Sequence, residues 1–200
     1  MVYYLDRSRV TTYVALEPNP FMLPHIRKAA KKEGYNEEDG SLLVIPFGVE
    51  NTVKIQDALK PHYNKFYASK PSSESDSDAS LHLATGQVTT IVSILTFCSV
   101  PNPQQTLISL VSHILAPGGT LLFFEHVKNP IPSVALCQRV LGNIWKVFFD
   151  GCRLGQDTVR MVRNAGDACG GWESMVFEGE EGQNIEVLFL NVVGSCVKRK

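Results

Sequence analysis

Four short segments bring together residue types from which chemistry can be built: Glu17-Pro18-Asn19, Phe47-Gly48-Val49-Glu50, Thr96-Phe97-Cys98-Ser99 and Glu125-His126. Each follows a short apolar run that reads as a strand. A carboxylate at a strand end can accept two hydrogen bonds from the hydroxyls of a ribose, and Glu17 is placed for that role. The same position also suits a merely solvated carboxylate. Cys98 is either a thiol nucleophile or a small apolar wall. His126 is either a proton acceptor or the polar cap of its strand. Asp150 precedes Gly151 and can cap that turn or face a ligand. No G-x-G-x-x-G occurs, which argues against a nicotinamide or flavin dehydrogenase. The five cysteines form no C-x-x-C pair and no metal-ligand spacing with the five histidines, so no metal site is expected.

The elements that must hold these segments alternate between strand-like and helix-like blocks. Thr12–Leu16 reads as a strand, and Asn19-Pro20 as a helix start with Asn as the cap. Phe21, Met22, Ile26, Ala29 and Ala30 give that helix one apolar stripe, closed at Gly34. Leu42–Ile45 is a second strand. Val53–Tyr67 has helical character and is expected to be interrupted at Pro61. Val88–Leu95 is a third strand, rich in Val, Ile and Thr. Asn102-Pro103 opens a helix over Leu107, Ile108, Val111, Ile114 and Leu115, which Pro117-Gly118-Gly119 should end. Thr120–Phe124 is a fourth strand. Val134–Phe149 carries Leu141, Ile144, Trp145 and Phe148 at helical spacing; Trp145, Phe148 and Phe149 are expected in the core, the alternative being that one or two of them wall an acceptor site. A short helix over Asp157–Ala165 should end at Gly166. Strands over Trp172–Phe177 and Ile185–Val193, joined by the turn-like Glu178–Asn184, should be antiparallel. The pattern predicts a Rossmann-like, doubly wound, mostly parallel α/β sheet with an antiparallel C-terminal hairpin.

Composition narrows the function. The 200 residues are 44% hydrophobic, enough for a single domain over 1–200 with a real core. Nineteen Lys and Arg against 20 Asp and Glu leave a net charge of -1, so the electrostatic footprint of a nucleic-acid binder is missing. No apolar run approaches the ~20 residues of a bilayer span. The scattered cysteines suit a reducing, cytoplasmic setting. Residues 68–80 (SKPSSESDSDAS follows Ala68) are acidic and aperiodic, and read as a disordered insertion.

The segments YVALEPNPFMLPHIRKAAKKEGY, IVSILTFCSVPNPQQTLISLVSHILAPGGTLLFFEHV and WKVFFDGCRL carry a resemblance. Together they resemble class I S-adenosylmethionine-dependent methyltransferases, in particular the type 11 group with its small-molecule and thiol methyltransferase-like members. The resemblance implies S-adenosyl-L-methionine as cofactor and a small-molecule acceptor. It implies that Glu17, with Pro18 and Asn19 beside it, binds the ribose hydroxyls. It places Phe47, Gly48, Val49 and Glu50 along the adenine. Thr96, Phe97 and Cys98 would face the methionine part and the methyl group, and Glu125, His126 and Asp150 would border the acceptor.

The chain departs from the family at its start. Val2–Ser8 resembles the end of the family's first helix, so the first strand and its glycine-rich turn are expected to be missing. The cofactor's hold on the chain should be weaker for it. Thr89 also stands where relatives often have an acid. The strands flanking the gap must pair directly, remain open edges, or recruit another chain. That leaves an alternative to catalysis: a truncated remnant or accessory subunit that completes its sheet with a partner chain.

Overall fold

The computed structural model describes residues 2–66, 82–149, 151–179 and 185–200. The expected insertion at 68–80 lies outside the described residues, as does Asp150. The chain forms two compact units, Met1–Gln87 and Val88–Lys200.

In the first unit, β1 (Tyr13–Leu16) and β2 (Leu42–Ile45) pair in parallel, with Leu16 opposite Ile45. Helix α1 (Leu23–Lys32) connects them and lays Ala30 against Val2, Tyr35, Leu42 and Val44. This helix starts later than the Asn19-Pro20 signal implies. The Asn19 side chain instead accepts from the Phe21 amide at 3.0 Å and shapes a turn ahead of the helix. Phe21 accordingly leaves the expected stripe and is solvent-exposed. Gly34, at φ +81°, closes the helix as predicted.

Helix α2 (Thr52–Phe66) runs through Pro61 without interruption, against the sequence expectation. Pro61 lies on the exposed side, while Ile55, Leu59 and His62 bury the opposite one. Burial of that apolar face outweighs the one backbone bond a proline forfeits. His62 Nε2 lies 2.8 Å from the Gly40 carbonyl, fastening the last turns of α2 to the loop before β2.

The second unit is a four-stranded sheet in the order β3-β4-β6-β5. Here β3 is Val88–Ile94, β4 Leu115–His126, β5 Trp172–Gly179 and β6 Asn191–Lys198. β3 and β4 are parallel, and β6 is antiparallel to both β4 and β5. The mixed parallel and antiparallel architecture expected from the sequence is therefore present.

Between β3 and β4 run α3 (Pro103–Ser109) and a wider turn of π-helix, Leu110–Ile114. Pro117-Gly118-Gly119 does not follow this helix as a separate stop. It is an excursion inside β4, between the pairs Val88–Leu115 and Thr90–Thr120, with Gly118 at φ +72°. The carbonyls at the helix end go to Lys198. Its buried ammonium donates to Val111 O at 2.6 Å and Leu115 O at 2.8 Å, a cation held where the helix dipole is negative.

Helix α4 (Pro132–Phe148) reverses the expected pattern. Its buried residues are Gln138 and Gly142, whereas Leu141, Ile144 and Phe148 are exposed, as is Phe149 just after it. Trp145 is half-buried. The reason lies in what α4 packs on. Gln138 Nε2 donates to Val127 O at 3.2 Å and Leu188 O at 2.7 Å, and its Oε1 accepts from the Asn129 amide at 2.9 Å. Gly142 lies against Leu154, where a Cβ would stand 3.4 Å from the backbone.

Helix α5 (Thr158–Ala168) is capped by Asp157, which accepts from the Arg160 amide at 3.2 Å. It continues past Gly166, because that glycine seats the Trp172 indole, whose Nε1 donates to Val162 O at 2.9 Å. The last strand also lies later than expected, sharing only Asn191–Val193 with the predicted run. The preceding carbonyls are claimed by side chains: Asn129 Nδ2 donates to Ile185 O at 2.6 Å and Val187 O at 3.0 Å. Those carbonyls hold a turn in place.

Candidate functional site

In parallel sheets the functional loops gather at the carboxyl ends of the strands, and each unit has one such end. In the first unit, the register of β1 and β2 sets Glu17-Pro18-Asn19 beside Phe47-Gly48-Val49-Glu50. Glu17 continues the ladder, its amide donating to Ile45 O at 3.1 Å. Its Oε1 accepts from the Asn19 amide at 2.8 Å, which orients the carboxylate at the strand tip. The Glu50 carboxylate folds back over Gly48, into the space a Cβ would take. Glu50 Oε1 in turn accepts from Asn51 Nδ2 at 3.1 Å. Lys54 Nζ stands 5.9 Å from the centre of the Phe47 ring.

In the second unit, the parallel register brings Thr96-Phe97-Cys98 and Glu125-His126 to one edge. The two segments are joined through Glu125, which is fully buried. Its Oε1 accepts from Ser93 Oγ at 2.7 Å and from the Thr96 amide at 2.9 Å; its Oε2 accepts from the Phe97 amide at 3.2 Å. Burial pushes this carboxyl above the usual carboxylate range, and the three donors pull back only in part. The Glu125 carboxylate is thus engaged in moulding the loop after β3. The loop needs such a hold, because Leu95 sits at φ +51°, which a branched side chain adopts only under constraint. Thr96 is exposed, while the Phe97 and Cys98 side chains turn into the interior.

Cys98 faces Cys152, their sulfurs 3.2 Å apart. Burial, first of all, and the contact with Cys152 push the Cys98 thiol up to about 12. A thiol so held is protonated at neutral pH and offers almost no thiolate to a ligand from solvent.

His126 is half-buried among aromatic rings. Phe189 lies 5.6 Å from it between ring centres, Trp145 is 4.9 Å from Phe189, and Phe149 stacks on Trp145 at 3.5 Å. Burial holds the His126 imidazole below its ordinary value of 6.5, with a hydrogen bond to Asn191 pulling the other way. The ring is therefore neutral at pH 7. Its Nδ1 is buried and has no hydrogen-bond partner among the described residues.

Sequence reasoning found the strand-end segments. It missed the anchoring role of Glu125, the Cys98–Cys152 contact, and the Asn129–Gln138 network. The D-G-C stretch at 150–152 was the signal available for Cys152, but nothing local tied it to Cys98.

The sheet order and the antiparallel last strand define a fold class, a Rossmann-like α/β fold of the kind found in solved methyltransferases. Two solved structures match it well. The CurJ carbon methyltransferase superposes on 100% of this chain and 44% of its own, with a TM-score of 0.54 at 13% identity. An O-methyltransferase family protein from Burkholderia thailandensis covers 94% of this chain and 44% of its own, with a TM-score of 0.53 at 7% identity. No protein-family model matches the chain. By sequence the chain is similar to thiol S-methyltransferases: TMT1B of Rattus norvegicus is 42% identical over 84 residues, which are 42% of this chain and 34% of that protein. Human TMT1A is 34% identical over 84 residues, with the same coverage. In fold the chain is similar to S-adenosylmethionine-dependent methyltransferases, and over 84 residues its sequence is similar to thiol S-methyltransferases. The matched stretch spans about a third of the length of these curated relatives. Among the residues present, the strand-tip carboxylate of Glu17, oriented by the Asn19 amide, is of a kind that can accept hydrogen bonds from ribose hydroxyls.

Proposed function

We propose that the chain serves S-adenosylmethionine-dependent methyl transfer to a small-molecule acceptor, a thiol by preference. The likeness to thiol S-methyltransferases on a methyltransferase fold carries this reading. S-adenosylmethionine supplies an electrophilic methyl group on a sulfonium. Glu17, flanked by Pro18 and Asn19, would accept hydrogen bonds from its ribose, and the 47–50 loop would lie along its adenine. Thr96, Phe97 and Cys98 would border its methionine part, chiefly through the backbone that Glu125 holds in shape. His126, neutral and with an unmatched Nδ1, would take the proton of the acceptor thiol as sulfur attacks. Asp150 would border the acceptor. The rest is alignment and exclusion of water.

The test is incubation with methyl-labelled cofactor and a panel of thiols and phenols. Label is expected in thiol products. Glu17→Ala should weaken cofactor binding roughly 10- to 100-fold, the worth of a charge-assisted hydrogen-bond pair. His126→Asn should slow transfer to thiols without weakening cofactor binding. No labelled product with any acceptor would overturn the reading.

One observation favours a second reading, a chain that completes its sheet with a partner. β3, rich in Val and Ile, is an edge strand of its sheet among the described residues, with Ile94 exposed. Sedimentation across a concentration series should then show self-association. A monomer throughout counts against it.

A further inference from the structure

Of the five cysteines, none is in a disulfide, and their surroundings differ sharply. Cys137 is exposed on α4. Cys196 is buried within β6. Cys169 contacts the Ser112 hydroxyl at 3.0 Å. Cys98 and Cys152 are buried against each other, with Sγ atoms 3.2 Å apart. They come from distant points of the chain, the loop after β3 and the loop after α4.

The backbones on either side of this contact are tied together. The Arg153 amide donates to Cys98 O at 2.9 Å, directly beside both cysteines. The Cys152 amide donates to Phe149 O at 2.9 Å, and Gly151 takes φ +79° to bring the chain round. The two side chains therefore leave backbones that are already fixed at close range. A disulfide needs sulfurs about 2.05 Å apart. The remaining closure between the sulfurs is about 1 Å, and the Arg153–Cys98 backbone bond holds the two loops together beside it.

We propose that Cys98 and Cys152 are a redox-active dithiol, which a low-molecular-weight disulfide oxidises to an intramolecular bridge between the loop after β3 and the loop after α4.

Cys152 is the entry point, being the less deeply buried of the two. Its thiolate attacks one sulfur of the external disulfide, forming a mixed disulfide and releasing the first small thiolate. Cys98 then gives up its proton and attacks Cys152 Sγ, expelling the second small thiolate. Two protein thiols are oxidised, one external disulfide is reduced to two thiols, and the two protons leave on those thiols. The order also follows from the environment of Cys98. Its thiol, pushed up to about 12, offers almost no thiolate to solvent but is strongly nucleophilic once deprotonated beside the mixed disulfide. The bridge would pin the Thr96–Ser99 turn, so the strand-end loop is free or tethered according to the thiol state of its surroundings.

The experiment uses the folded full chain, equilibrated with glutathione buffers from fully reduced to fully oxidised. Samples are acid-quenched, alkylated and mapped by mass spectrometry without reduction. The expected result is a Cys98–Cys152 linked peptide that rises with the oxidised fraction and disappears on return to reduced glutathione. The oxidised chain should melt at higher temperature than the reduced one, as expected for a native cross-link. Cys98→Ser should instead accumulate a glutathione adduct on Cys152. Cys152→Ser should leave Cys98 unmodified. The wild-type map decides by itself if either variant folds poorly. Adducts or intermolecular links at exposed Cys137, with Cys98 and Cys152 still alkylated as free thiols in the most oxidising buffer, would overturn the proposal.

Discussion

Replacing Glu125 with alanine is expected to lower the unfolding free energy by roughly 3–5 kcal/mol, since each buried donor left unsatisfied costs about 1–3 kcal/mol. That is a large share of the ~5–15 kcal/mol that holds a domain together. The substitution strands three donors at once: the Ser93 hydroxyl and the Thr96 and Phe97 amides, all now directed at the Glu125 carboxylate. Leu95 adds to the loss, since its left-handed backbone is held only by what surrounds it, including the bond from its amide to Phe124 O at 2.8 Å. Glu125→Gln should cost less, about 1–3 kcal/mol, because the amide keeps one accepting oxygen but turns an N–H toward the Phe97 N–H. Urea denaturation of both variants measures this. A loss under about 0.5 kcal/mol for alanine, the level of an ordinary surface change, would contradict the anchoring role.

The pH dependence of the same pair has a definite sign. The Glu125 carboxyl titrates higher in the folded chain than its ordinary 4.5. The folded state therefore holds the proton more tightly, and the resulting stability is fully present below 4.5 and lost as pH rises through the raised value. The Ser93 hydroxyl can turn from donor to acceptor and so receive that proton. His62 and His126 work in the other direction. Both are held below 6.5, so the stability they bring is present above 6.5 and lost as pH falls through their lowered values. The histidines are common to both proteins, so subtraction removes them. The stability advantage of wild type over Glu125→Gln should grow as pH falls from 7 toward 4.5. A constant difference would mean that the Glu125 proton is held no more tightly in the folded chain.

The strands were readable because each apolar run ends in a polar residue that its own neighbours require. Glu17 and Glu125 mark the ends of β1 and β4 almost to the residue. What could not be read was where a long-range partner intercepts local propensity. Ile185–Leu190 has the composition of a strand, yet Asn129 and Gln138 take its carbonyls from 50 to 58 residues away. The Cys98–Cys152 contact, at a separation of 54 residues, is of the same kind. Helix α4 shows a different limit. Its 3.6-residue periodicity reveals that an apolar face exists, but a periodicity does not say which face the rest of the chain covers. The buried strip is Gln138 and Gly142, which no hydrophobic pattern selects. The resemblance places Glu125 at an acceptor, and nothing local reveals its anchoring role, because the donors that hold it lie on another strand and its loop.

Gly194→Val should destabilise the second unit by roughly 3 kcal/mol or more, the range of overpacking and aromatic loss in a close-packed sheet. Valine is the better strand former by up to ~1 kcal/mol on propensity alone, so a gain would be the naive expectation. Geometry decides otherwise. Gly194 sits in the middle of β6, opposite Phe123 on β4 and Phe177 on β5. The Phe123 ring lies across the space where a Cβ would stand and overlaps it. That ring is buried and tilts against Phe177 with centres 5.8 Å apart, so it has no open side to retreat to. Any side chain at 194 must expel Phe123 from the face of the sheet, giving up about 1.5–3 kcal/mol of burial before strain is counted. A double-mutant cycle separates this clash from a backbone effect of losing glycine. If the ring is the obstacle, Gly194→Val in a Phe123→Ala background costs far less than in wild type, and the coupling energy exceeds about 1 kcal/mol. Equal costs in the two backgrounds would place the requirement for glycine in the backbone of β6 rather than under the ring.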